Sequence, residues 1–261
     1  MNLVADVSGK RILLVGATGV LGREYASTLA SNGANLVIAD RNATDVKSFA
    51  KEINALSSYI DVSSEQSVIE CIEYCSSQLG GLDGVINNAA ATSEGLLSSG
   101  DLFAKFEEYP LDLWNEAINV NLTGTFLVAR ESGKLMKSSS NCGSLVNISS
   151  IYGVVGPDHR IYENQEFKSF PGYSASKAGV IGLTKWLATW WGESIRVNCV
   201  TPGGVFNNHN AEFVKAYSNR VPLQRMANRN ELSGIVLYLL SDSSSYVTGQ
   251  NFIIDGGMTA W

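Results

Sequence analysis

Arg11-Ile-Leu-Leu-Val-Gly-Ala-Thr-Gly-Val-Leu-Gly22 decides how the rest of this chain is read. Arg11 to Val15 is a short apolar run, which suits a strand buried on both faces of a parallel sheet. Gly16, Gly19 and Gly22 then stand where that strand would turn into a helix running through Ala30 and closing at Ser31-Asn-Gly33. Such a turn brings main-chain N–H groups and the positive end of a helix dipole to one point, which suits a pyrophosphate. A tight turn with packing glycines is the plainer reading of the same spacing, so the later elements have to decide.

The alternation of strands and helices continues along the chain. Asn35 to Ala39 reads as a second strand ending on Asp40, followed by a helix over roughly Thr44 to Asn54. Ser57 to Ile60 is a short strand ending on Asp61, Ser63-Ser-Glu65 caps a helix reaching about Gln78, and Asp83 to Asn87 is the fourth strand. A polar stretch from Thr92 to Pro110 shows helical periodicity around Leu102 to Glu108, and one long helix is predicted over Asp112 to Met136. After a loop beginning at Ser138, Ser144 to Ile148 is the fifth strand. A helix opens at Pro171 and runs to Trp191, and Ser194 to Val200 is the sixth strand. Arg229 to Leu240 is a helix and Asn251 to Ile254 the last strand. With no repeat, linker or composition break, residues 1–261 are expected to form one doubly wound α/β domain.

The hydrophobic fraction of 45% is enough for a sizeable core in a chain of 261 residues, while the charged fraction is only 17%. That is below the roughly 25% of ordinary soluble domains, so the surface opposes self-association weakly and an oligomer is expected. A net charge of −6 gives no electrostatic footprint for nucleic acid or an anionic membrane. No run has the length of a membrane span, and Met1 to Asp6 lacks the regions of a signal peptide, so a cytoplasmic protein is expected. Cys71 and Cys75 have helical spacing but no second ligand pair, so the cysteines read as reduced thiols and no metal site is expected.

Two further positions carry chemistry. Asp40 ends the second strand 18 residues after Gly22, where a carboxylate can accept hydrogen bonds from ribose hydroxyls and repel a 2′-phosphate. The neighbouring Arg41 could instead engage a 2′-phosphate; with the carboxylate present, NAD is favoured over NADP. Tyr173 and Lys177 stand four apart on a predicted helix, so both side chains project from one face. An ammonium close to a phenol stabilises the phenolate and would bring the tyrosine pKa down towards the range of a general acid/base. On its own this pair is equally a solvated helix face.

Together these residues resemble the single-domain short-chain dehydrogenase/reductase family, from about Gly9 to Gly257. The motifs fall in family order: Gly16 to Gly22, Asp61-Val62, Asn87-Asn-Ala-Ala90, Asn121 in Asn-Val-Asn-Leu-Thr-Gly, Ser149-Ser150, Tyr173-x-x-x-Lys177, Pro202-Gly203, Val247-Thr-Gly-Gln and Asp255-Gly-Gly. The resemblance implies a seven-stranded parallel sheet of Rossmann type, a nicotinamide cofactor and a homotetramer or homodimer. It implies that Thr18 and Leu21 join the three glycines around the cofactor, with Asp40 and Arg41 at its ribose. Asp61 and Val62 would contact the adenine, and Asn88, Ala89 and Ala90 would lie along the cofactor. Pro202, Gly203 and Val205 would cover the nicotinamide amide. Ser150 would hold the substrate oxygen, and Tyr173 would be the acid/base. Lys177 would bind the nicotinamide ribose and lower the tyrosine pKa, and Asn121 would position a water linking Lys177 to solvent. Asn87 is expected to be structural, and Ser149 to point away from Ser150.

Three departures stand out. The middle glycine comes one place early, a spacing more usual in the larger sugar-nucleotide epimerase and dehydratase branch of the family. Ala90 replaces the commoner glycine. Ser150 and Tyr173 are 23 apart, roughly ten more than usual, the surplus being Pro157 to Phe170. That insertion carries Asp158, His159, Arg160, Glu163, Asn164 and Gln165, and reads equally as a substrate wall or as a surface or subunit contact. Phe206 to Arg225 lies where the family has its substrate lid and opens with Asn207-Asn-His-Asn210. Such a polar rim predicts a small polar substrate, a sugar or polyol, with Arg160 and Arg225 as possible partners of a phosphate or carboxylate. The insertion and chain ending also resemble oxidoreductases of bacterial surface-sugar and flagellin modification. The expected reaction is hydride transfer between a nicotinamide and a secondary alcohol or ketone. The alternatives are a cofactor-binding regulator or scaffold, and a lyase or isomerase that uses bound NAD transiently.

Overall fold

Seven parallel strands form one sheet in the order β3-β2-β1-β4-β5-β6-β7. They are β1 Arg11–Val15, β2 Asn35–Asp40, β3 Leu56–Tyr59, β4 Gly84–Asn87, β5 Gly143–Ile148, β6 Ile195–Pro202 and β7 Asn251–Ile254. The computed structural model describes residues 5–92, 96, 100–138, 142–163, 165 and 167–261. The inserted Asn164 falls outside the described residues, as does part of the polar stretch before Pro110.

Alternation along the strands builds two apolar layers. Leu13 and Val15 of β1 face one layer, with α3 (Glu65–Leu79), α5 (Gly124–Lys137) and α6 (Pro171–Trp191) packed on it. Ile12 and Leu14 face the other, with α1 (Val20–Ser31), α2 (Ala43–Glu52) and α8 (Ser233–Leu240). A continuous apolar run, unlike a strand with one wet face, is needed because both faces are covered. No helix among the described residues is long and apolar enough to cross a membrane.

Local chemistry sets the helix ends. Asn42 accepts from the Asp45 amide and Ser64 from the Ser67 amide, starting α2 and α3. Pro171 opens α6, where its missing N–H costs nothing. The predicted long helix is interrupted: α4 (Leu111–Ile118) passes into α5 through a π-helical turn, Asn119–Thr123. One extra residue in that turn re-aims Asn121 inward, which a strict 3.6-residue period does not reveal. Likewise Arg229–Leu232 is a 3-10 turn ahead of α8, and only Phe106–Glu108 of the earlier periodic stretch is helical, also as a 3-10 turn.

The chain winds outward from β1 to β3, then returns to place β4 on the other side of β1. Successive crossovers therefore leave in opposite directions at the carboxyl ends of β1 and β4, opening a crevice there. The two main chains meet closely at its floor: a Cβ on Gly16 would lie 2.5 Å from the Ala89 nitrogen.

Candidate active site

The glycine turn after β1 is shaped by contacts that differ from one glycine to the next. Gly16 has φ +80, a left-handed conformation suited to glycine. A Cβ on Gly22 would stand 2.1 Å from the Gly16 carbonyl oxygen, so helix and turn touch backbone to backbone. At Gly19 a Cβ would meet only that oxygen, at 3.8 Å, leaving open space over the start of α1. Gly19 supplies no side-chain cap to that helix, and its first turn carries no acidic residue. An open, uncapped helix N-terminus beside a glycine is a fitting cradle for a pyrophosphate.

Asp40 is drawn onto the same turn. One carboxylate oxygen accepts from the Thr18 amide at 2.9 Å and the other from the Asn42 amide at 3.2 Å. Leu21 packs against the apolar layer beneath, while Arg41 is exposed beside Asp40. Asp61 accepts from the Ser63 amide and hydroxyl at 2.9 and 2.6 Å, and Val62 is buried against Gly124. Asn88 donates to the Gly16 carbonyl at 2.8 Å, which fixes Asn88-Ala89-Ala90 along the crevice. Asn87 donates to the Thr125 carbonyl at 3.0 Å and faces the core. On the far side Gly203, just after Pro202, donates to the Ile254 carbonyl at 2.9 Å, and Val205 bridges to Ala227.

The catalytic candidates sit at the ends of β5 and α6. Ser149 donates to the Lys177 carbonyl at 2.8 Å, tying the strand end to the helix. Ser150 turns the other way and accepts from the Tyr152 amide at 3.2 Å. Lys177 is buried and donates to the Ile148 carbonyl at 2.9 Å. Its Nζ stands 5.8 Å from the centre of the Tyr173 ring. Asn121 accepts from the Ala91 amide at 2.6 Å and donates to the Ser176 hydroxyl at 3.1 Å, with Thr125 donating to its main-chain oxygen at 2.7 Å. All four candidates are thus gathered within one layer of neighbours.

The electrostatics correct one expectation. The Tyr173 pKa is raised above the ordinary phenol value by burial, with the nearby Ser150 hydroxyl pulling the other way. The ammonium does not lower it, because Lys177 is aimed at a main-chain carbonyl rather than at the phenol oxygen. Burial also pushes Lys177 down to about 8, against the opposing pull of Cys199.

The insertion departs from the expected polar rim. Asp158 binds Arg160 at 2.8 Å and pairs with Arg220, and Gln165 accepts from Asn210 at 2.6 Å. Arg225 is committed to Glu231 at 2.6 Å. Beside these pairs lies an apolar and aromatic cluster: Ile151, Ile161, Tyr162, Phe213, Tyr217, Val221 and Met226 are buried together, with Tyr152 and Phe167 against them. Phe213 and Tyr217 belong to α7, Ala211–Ser218, so insertion and lid share one cluster. The Tyr152 and Tyr162 hydroxyls are 2.5 Å apart, and Phe170 lies 5.7 Å from Tyr173, ring centre to ring centre. Sequence reading by polar residues passed over these aromatics; the signal available was their recurrence from Tyr152 to Tyr217.

A family model described as Enoyl-(Acyl carrier protein) reductase matches residues 16–259. The trans-4-hydroxycyclohexanecarboxylate dehydrogenase of Sinomonas cyclohexanicum is 36% identical, over 100% of this chain and 97% of its own. A 3-oxoacyl-[acyl-carrier-protein] reductase of Thermotoga maritima is 33% identical, over 97% of this chain and 98% of its own. The crystal structure of a short-chain dehydrogenase from Leptospira borgpetersenii with bound NAD+ superposes with a TM-score of 0.83 at 34% identity, over 99% and 96% of the two chains. Likeness over the whole length, in sheet order and in sequence alike, places the chain in the short-chain dehydrogenase/reductase family, oxidoreductases that act on CH–OH groups with a nicotinamide cofactor.

Proposed function

We propose that this oxidoreductase interconverts a secondary alcohol and its ketone on a small ring-shaped substrate, with NAD preferred. Gly16, Thr18, Gly19, Leu21 and Gly22 would hold the pyrophosphate, and Asp40 would accept from the ribose hydroxyls. Arg41, Asp61 and Val62 would border the adenosine half. Asn88, Ala89 and Ala90 would line the middle, and Pro202, Gly203 and Val205 the nicotinamide. Bound there, the cofactor supplies a carbon that accepts or donates hydride. Ser150 holds the substrate oxygen, and Tyr173 takes its proton in oxidation and returns one in reduction. The Ser150 hydroxyl pulls the Tyr173 pKa down against burial, which supports this pairing. Lys177 holds the ribose and feeds protons to Tyr173, and Asn121 keeps the local main chain in place for a water at that relay.

The aromatic cluster beside Ser150 and Tyr173 is the observation that carries the substrate class. Of the insertion's polar side chains, which pointed towards a sugar or polyol, Asp158, Arg160 and Gln165 are engaged with each other or with the lid. An aromatic wall offers area and dispersion to the face of a carbocycle, whereas a sugar needs many donors and acceptors. The ring alcohol named for the Sinomonas relative has the same chemistry. We further propose a homodimer or homotetramer, supported by stacked, exposed Trp186 and Trp190 on α6.

The test is a screen of cyclohexanols, sugars, polyols and 3-hydroxyacyl thioesters with both cofactors, read as reduced nicotinamide absorbance. Cyclohexanols are expected to lead, with NAD above NADP. Net reduction also separates this reading from a scaffold and from an isomerase that returns its hydride. Tyr173→Phe should lose about 10²- to 10⁴-fold in turnover while keeping its cofactor affinity. Turnover confined to sugars would sink the ring reading, and full activity in the Phe variant would sink the mechanism.

A further inference from the structure

Asp158 in the insertion gathers two guanidinium groups. Its carboxylate binds Arg160 through Nε at 2.8 Å and Nη2 at 2.9 Å, and pairs with Nη1 of Arg220 from the segment after α7. One negative charge against two positive ones leaves a net positive charge where the insertion meets the lid. Arg160 is largely solvent-exposed, but Arg220 is less so, and its Nε is buried with no hydrogen-bond acceptor among the described residues. A buried N–H on a charged group costs stability when left unpaired, and so needs an explanation beyond packing.

The Tyr152–Tyr162 contact presents a second spare donor. Two hydroxyls 2.5 Å apart share one hydrogen bond, so one O–H proton is left over. Tyr162 is buried, and Tyr152 is held two residues from Ser150 by the bond of its amide to the Ser150 hydroxyl. Asp158 caps the 3-10 turn His159–Tyr162, so its pair with Arg220 brings the guanidinium to the turn that carries Tyr162. The nearby Asp255 does not supply the missing acceptor, since its two oxygens accept from the Gly257 and Thr259 amides. The Tyr217 hydroxyl likewise accepts from the Gly204 amide.

We infer that Arg220 and the Tyr152–Tyr162 pair form an anion subsite, which anchors a carboxylate on the substrate while its hydroxyl lies at Ser150 and Tyr173. An Nε–H and a phenol O–H would each meet one carboxylate oxygen, in charge-assisted bonds stronger than neutral ones. The aromatic cluster beside them would exclude water and strengthen both. The inference rests on the placement of the reacting centre proposed above, and it fixes which end of a ring substrate points away from that centre.

Cyclohexanecarboxylate and cyclohexanecarboxamide have no hydroxyl to react, so their binding tests the subsite without turnover. Titrated calorimetrically into the enzyme saturated with whichever nicotinamide cofactor it binds more tightly, the carboxylate should bind about tenfold or more tighter than the carboxamide. R220Q and the double variant Y152F/Y162F should each remove most of that preference while changing carboxamide affinity less than about twofold. The double tyrosine variant leaves the Asp158–Arg220 pair intact, and if R220Q does not fold, R220K keeps the charge but not the Nε–H. Equal binding of the two ligands by the wild-type protein would overturn the inference, whatever the alcohol screen returns. A preference that survives the Arg220 variant would overturn the role of Arg220, and one that survives the double tyrosine variant that of the hydroxyl pair. A screen without ring alcohols, alongside intact carboxylate preference, would remove the substrate proposal and leave the subsite standing.

Discussion

At Lys177 two demands oppose each other. The side chain must carry charge to act on a cofactor ribose and on Tyr173, yet its burial disfavours that charge. The folded protein therefore releases the proton near pH 8, while the unfolded chain keeps it to the ordinary value of 10.5. Between those two values the unfolded chain binds more protons, so raising the pH favours the folded state. Lys177→Met removes the titrating group. In urea unfolding, the stability of the wild type relative to this variant should increase from about pH 7.5 to about pH 9.5. A constant difference would mean that Lys177 keeps its ordinary pKa when folded. The spacing of Tyr173 and Lys177 was legible from the sequence. What it could not reveal is where Nζ points, because a main-chain carbonyl, that of Ile148, captures it from a strand 29 residues earlier.

The turn joining β1 to α1 separates the two uses of glycine within one element. Gly22 has no room for a methyl group, because the Gly16 carbonyl and Ala17 backbone stand in its place. Gly22→Ala should cost about 1–3 kcal/mol or more in denaturant unfolding. Gly19 has φ −69 and ψ 170, which alanine adopts freely, and open space above it. Gly19→Ala should fold with stability changed by less than about 1 kcal/mol, yet lose about tenfold or more in cofactor affinity by fluorescence titration. Equal effects of the two substitutions on stability would show that Gly19 too is a packing residue. The early middle glycine, unusual against the family pattern, thus still ends as the helix N-cap. Strands β1, β2, β4, β5 and β6 were legible because their apolar runs are buried on both faces, whereas β3 and β7 are partly exposed at the sheet edges. The π-helical turn at Asn119–Thr123 was not, since its reward is an inward Asn121 bonded to Ala91 and Ser176, far away in sequence.

Over the whole molecule, the sequence signals favour whatever repeats locally. Sheet order follows from strands alternating with helices, whereas the union of the insertion with the lid depends on Asp158 meeting Arg220 and Tyr162 meeting Phe213. Neither pair has a local signature. The outer surface carries one more feature of this long-range kind. Gly133 lets α5 close on α6, where a Cβ would lie 2.5 Å from the Trp191 indole, and this leaves Trp186 and Trp190 outside. Their rings stack 5.3 Å apart, with 57% and 68% of their surface exposed. Two indoles in water are costly to leave uncovered, and few charges elsewhere oppose association. A second copy of the chain covering this face would bury both. Trp186→Glu with Trp190→Glu should therefore lower the assembly state in sedimentation velocity at micromolar concentration, from tetramer to dimer or from dimer to monomer. The catalytic candidates project from the opposite part of α6, so the variant should keep its fold by circular dichroism. A wild type that sediments as a monomer, or a double variant that sediments as the wild type does, would place the assembly contact elsewhere or remove it.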